Sequence, residues 1–90
     1  MGKEKIFEKN DTGIDSNEKK ILTLYNDDYH TFEYVIDALQ KVCKHNPEQA
    51  IQCTYLVHFK GKCDVKSGDL NFLKPLKEEL CVLGLDAAIS

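Results

Sequence analysis

Hydrophobic positions divide the chain into a polar amino-terminal stretch followed by six short elements. From Met1 to Lys20 the residues are mostly Lys, Glu, Asp and Asn, and only Ile6, Phe7 and Ile14 are sizeable apolar side chains. Without a sustained period this segment reads as a flexible tail, with one ordered domain over 21–90. Ile21-Leu22-Thr23-Leu24-Tyr25 is rich in strand formers and stops at Asn26-Asp27-Asp28, which predicts a first strand and its end. Thr31 can cap a helix in which Phe32, Val35, Ile36, Leu39, Val42 and Cys43 share one face.

Asn46-Pro47-Glu48-Gln49 is a second helix start: a capping Asn, Pro at the first helical position, and Gln three residues after the cap. That helix is expected from Pro47 to Phe59, closed by Gly61. Cys63 and Val65 alternate with polar neighbours and predict a strand over 62–66 before the Ser67-Gly68 turn. Leu70, Leu73, Leu76, Leu80 and Leu83 predict a third helix ending at Gly84, with Pro75 either in its first turns or kinking it. Leu85, Ala87 and Ile89 alternate as a last strand. The order β-α-α-β-α-β, with one apolar stripe per helix, predicts an α+β domain: a three-stranded antiparallel sheet with three helices on one face.

Size and charge narrow the function. A chain of 90 residues with a polar tail leaves room for one core and no deep catalytic cleft. A net charge of −3, from 15 acidic and 12 basic side chains spread along the chain, gives no basic stripe to track phosphates, so nucleic acid is not an expected partner. The apolar runs are too short to span a bilayer, and no export signal is evident, so a cytoplasmic protein without a membrane partner is expected. Cys43, Cys53, Cys63 and Cys81 are then read as buried thiols, and His30 and His45 as solvated loop or helix-end residues. No cofactor or metal is expected: Cys43, Cys53 and Cys63 are separated by nine intervening residues, with no CxxC or HxxxH pair. No local pattern marks a nucleophile, so the chain is not read as an enzyme.

The chemistry that remains is Asn26-Asp27-Asp28 and His58. By composition alone the first is a strand-ending turn, and a lone histidine near a helix end satisfies a local hydrogen bond. Their joint occurrence changes that reading. The NDD-to-VID stretch from Asn26 to Asp37 and the VH-aromatic-x-GK stretch from Val57 to Lys62 resemble the ClpS family, adaptors that hand proteins to a Clp ATPase and its protease.

The resemblance implies binding of N-degrons, bulky Leu, Phe, Tyr or Trp at a free amino terminus, and docking on the amino-terminal domain of a ClpA- or ClpC-type unfoldase. It implies that Asn26, Asp28 and His58, with Asp27 beside them, hold the α-amino group and first backbone atoms. It assigns Phe32, Val35, Thr54, Val57 and Leu85 to the side-chain pocket, and His30 and Thr31 to its rim or the second residue. Where the family often has Met, this sequence has Phe32 and Thr54, and His30-Thr31 replaces a common Thr-Pro pair. A free α-amino group is an ammonium ion near neutral pH, and a carboxylate, an amide oxygen and a neutral imidazole nitrogen can each accept one of its protons. The competing reading is a non-proteolytic module with a ribosomal-stalk-like α+β fold, which gives no reason for NDD and His58 to coexist.

Overall fold

The computed structural model describes residues 18–90. Its elements are β1 (Lys20–Tyr25), α1 (Phe32–Val42), α2 (Pro47–Lys60), β2 (Lys62–Gly68), α3 (Leu70–Val82) and β3 (Asp86–Ile89), in the expected order. The expected tail lies outside the described residues over 1–17, and its last residue, Lys20, opens β1 one position earlier than the sequence suggests. Among the described residues no helix is long and apolar enough to cross a membrane.

β1 lies at the centre of the antiparallel sheet β2-β1-β3. Its alternation turns the fully buried Leu22 and Leu24 to the core, where they meet Val35, Leu39 and Val42 of α1 and Val57 of α2. Cys63 and Val65 of β2, Leu73 and Leu80 of α3, and Leu85 and Ala87 complete that core.

Each helix begins on a side-chain cap. Thr31 accepts from the Tyr34 N–H, Asn46 from Gln49 and Asp69 from Phe72, which satisfies amides that lack an intrahelical partner. Thr31 and Asn46 are the caps expected from sequence. α3 runs through Pro75, in its second turn, and ends two residues before Gly84.

Three expectations of side-chain placement are overturned. His45 is buried rather than solvated, with Nε2 2.6 Å from the Val65 carbonyl oxygen. The cause lies in the sheet: Leu22 pairs with Lys66 but Thr23 pairs with Asp64, so Val65 is an extra residue in a bulge whose carbonyl His45 satisfies. His30 is half-buried against Asp27. Cys81 is exposed, because it follows the buried Leu80 and so lies about 100° round α3 from the core-facing stripe.

Gly61 ends α2 in the left-handed region, at φ 94°, and donates its N–H to the Val57 carbonyl. A methyl group there would meet nothing within 4 Å, so substitution acts on the backbone alone. Gly61→Ala is expected to lower unfolding free energy by about 1 kcal/mol in a denaturant titration; an unchanged midpoint would show that the turn tolerates a side chain.

Candidate functional site

The recess forms where β1 ends. Beyond Tyr25 the ladder gains one more bond, from the Asn26 N–H to the Gly61 carbonyl oxygen at 2.9 Å. This bond places the first residue of the polar cluster beside the turn that closes α2. His58 occupies the last turn of that helix.

Within Asn26-Asp27-Asp28 the three side chains differ in role. Asp27 Oδ1 accepts the backbone N–H groups of Tyr29 and His30, at 2.9 and 3.0 Å. Its Oδ2 lies 2.7 Å from His30 Nδ1, which must carry the proton because a carboxylate only accepts. Burial opposes ionisation of Asp27, but the bonds from His30 and Tyr29 and the charge of His30 outweigh it and hold the carboxyl below its ordinary value. The Asn26 and Asp28 side chains are exposed and bond no group among the described residues. Asp27 therefore shapes the turn, while the acceptors of the Asn26 and Asp28 side chains are open among the described residues.

His30 is fixed on its other sides too. Its ring stacks on Tyr34 with centroids 4.7 Å apart, and the Tyr34 hydroxyl donates to the Leu83 carbonyl at 2.6 Å. A side chain at Gly84, whose φ is 83°, would come within 3.3 Å of His30 Nε2. The turn after β1 is thus tied through one histidine and one tyrosine to the turn before β3.

His58 Nδ1 lies 3.0 Å from the Thr54 carbonyl one turn earlier. A carbonyl cannot donate, so Nδ1 holds the ring proton and, in the neutral imidazole, Nε2 presents a lone pair. The Phe32 ring covers this imidazole at 4.2 Å between centroids, tilted by 43°.

Asn26, Asp27, His30 and His58 rim a small cavity, and Leu24, Val35, Val57 and Leu85 line its apolar interior. Its volume is about 10 Å³, room for roughly one water molecule. Of the residues expected from sequence, Asn26, Asp27, His30, His58, Val35, Val57 and Leu85 meet around this cavity, with Asp28 beside them in the turn. Phe32 lies against His58 instead of in the lining. Thr54 is fully buried, with its hydroxyl donating to the Ala50 carbonyl at 2.7 Å, and Thr31 is occupied as the cap of α1.

Sequence reasoning missed Leu24 and Tyr25 in the lining and Tyr34 behind His30. The four-residue spacing of His30 and Tyr34 across a helix start was an available signal. The thiols lie apart from this chemistry: burial pushes Cys43 up to about 11 and Cys63 up to about 12, away from the thiolate that a nucleophile needs.

Fold and site together define a small α+β domain with a recess rimmed by acceptors and floored by aliphatic side chains. The family described as ATP-dependent Clp protease adaptor protein ClpS matches residues 16–83. Curated ClpS adapter proteins are 49% identical over 39 residues in Salmonella gallinarum, 43% of this chain and 37% of that one, and 43% identical over 51 residues in Pectobacterium carotovorum, 54% and 48%. These matches span less than half the length of either relative. Agrobacterium tumefaciens ClpS2, solved bound to L-phenylalaninamide, superposes with a TM-score of 0.78 at 20% identity, covering 82% of this chain and 96% of that one. The chain belongs to the ClpS family.

The lowered Asp27 carboxyl has a direct consequence for stability. Its ionised bonds stabilise the fold above the ordinary value of 3.8, and the contribution is lost as pH falls through the lower value of the folded state. Asp27→Asn should therefore melt earlier than the parent at neutral pH, with the gap narrowing as pH is taken down below the ordinary carboxyl value of 3.8. A gap of constant size over that range, in thermal melts followed by circular dichroism, would assign the loss to something other than the charge.

Proposed function

We propose that this chain is an adaptor that captures N-degrons and delivers them to a Clp unfoldase, with no catalysis of its own. The observation that supports the reading is a small apolar cavity bordered by Asn26 and by His58, whose Nε2 is left with a lone pair, with the exposed Asp28 carboxylate in the same turn as Asn26. An α-ammonium group has three protons to donate and a positive charge, which these groups match in number and sign. A backbone amide or a hydroxyl would match neither.

The curated relatives are named as Clp protease adapters, and the solved neighbour's ligand, L-phenylalaninamide, carries a free α-amino group, an amide and a benzyl side chain. In this chain the same three features would meet the Asn26-Asp28-His58 rim, the exposed turn and the Val35-Val57-Leu85 floor. Burying an aromatic side chain there is worth roughly 4 to 6 kcal/mol before association terms. The cavity, at about 10 Å³, has to widen before a benzyl group enters. Delivery would proceed by docking on the amino-terminal domain of a ClpA- or ClpC-type ATPase in the cytoplasm, where the partner performs the proteolysis.

The test is affinity for a peptide beginning with free Phe or Leu against the same peptide acetylated at its amino end. The free peptide is expected to bind and the acetylated one to lose at least tenfold, as loss of a charge-assisted bond implies. His58→Ala should weaken the free peptide to a similar degree, and equal affinities across all three measurements would reject the receptor.

A further inference from the structure

Next to the rim lies an aromatic surface that stands exposed outside the core of the described residues. On α2, Tyr55 and Phe59 are one turn apart and stacked at 5.6 Å and 17°, yet Tyr55 is 51% and Phe59 73% exposed, and neither belongs to the core. Phe32 joins them to the recess: its ring is edge-on to Tyr55 at 5.1 Å, 6.3 Å from Phe59 and 4.2 Å from His58. Four contiguous rings differ from scattered surface hydrophobes, which need no explanation. The shelf is continuous with the proposed receptor because His58 belongs to both.

The direction of an extended peptide selects the occupant. If the first side chain enters the cavity between Val35, Val57 and Leu85, the pleat turns the second outward and returns the third to the protein surface about 6.5 Å further on. That step is of the size of the ring spacings on the shelf, whose Phe32 ring is 4.2 Å from His58 and whose other two rings are 5.1 and 6.3 Å from Phe32. We propose that Tyr55 and Phe59, with the outer edge of Phe32, form a subsite for an apolar, preferably aromatic, side chain at the third position of the substrate. This rests on the amino-terminus reading above and extends it from one recognised residue to two. Offset or edge-to-face stacking on exposed rings favours an aromatic third residue over alanine by about three- to tenfold. The second residue, facing solvent, has little influence.

The experiment is fluorescence anisotropy of the full chain with peptides Phe-Ala-X and Phe-X-Ala, X being Trp, Leu, Ala or Asp, repeated with a Tyr55→Ala/Phe59→Ala double variant whose fold is checked by circular dichroism. The expected result is tighter binding of Phe-Ala-Trp than of Phe-Ala-Ala, a flat response at the second position, and loss of the third-position preference in the double variant with Phe-Ala-Ala unchanged. A flat third position, a preference that survives in the double variant, or one that appears at the second position overturns the subsite while leaving the receptor standing. A flat result would leave the shelf to a second copy or another macromolecule. Absence of binding by every peptide overturns both readings, and that outcome is distinct from the others. Should the double variant fail to fold, Phe59→Ser alone gives the same comparison at the most exposed ring.

Discussion

One backbone hydrogen bond at the end of the β1–β2 ladder closes the two halves of the recess against each other. The Asn26 N–H donates to the Gly61 carbonyl, and neither group belongs to a regular element: one follows a strand and the other ends a helix in the left-handed region. Because β1 is the central strand, its end is fixed by pairing on both sides, and this last bond draws the carboxyl end of α2 to it. His58 is then carried to the mouth by the helix, with its tautomer already set by Thr54. The proposed chemistry needs only local structure once that bond is in place.

The polar cluster separates structural from available groups. Asp27 is saturated: two backbone amides and one imidazole use both its oxygens, which leaves it little capacity for a ligand. With the turn held by Asp27, the Asn26 and Asp28 side chains remain exposed and bond no group among the described residues. Asp27 also extends the site's support beyond the cluster, since His30 leans on Tyr34, and Tyr34 bonds the carbonyl of Leu83. The first turn of the domain and the last one are thereby positioned against each other, with Leu85 of the cavity floor two residues beyond Leu83.

Much of this was legible in the chain because it depends on local rules. Thr31 and Asn46 announced their helices by capping chemistry, Gly61 announced the end of α2, and the alternation of Leu22 and Leu24 gave the core face of β1. The pairing of Asn26-Asp27-Asp28 with His58 needed the family resemblance, since their approach depends on a contact between residues far apart in sequence. What escaped was decided by tertiary detail. A one-residue bulge at Val65 has no marker in the alternating pattern, so nothing foretold that His45 would be buried to satisfy its carbonyl. The place of the Phe32 ring, against His58 and outside the cavity lining, depends on its rotamer, and helical spacing assigns a face but not a rotamer. Cys81 was read by residue type when the helical period placed it outside the core stripe.

The proposed receptor depends above all on one contact, an amino-terminal ammonium group held by Asn26 and His58. The most direct measurement is nitrogen-detected NMR of the His58 ring and the Asn26 side-chain amide during titration with L-phenylalaninamide and with its N-acetyl derivative. The free amine is expected to shift His58 Nε2 and the Asn26 amide together and to leave Nδ1 bonded to the helix carbonyl, whereas the acetylated compound moves neither. Equal shifts with both compounds, or binding of the free amine that leaves both residues unmoved, would contradict it.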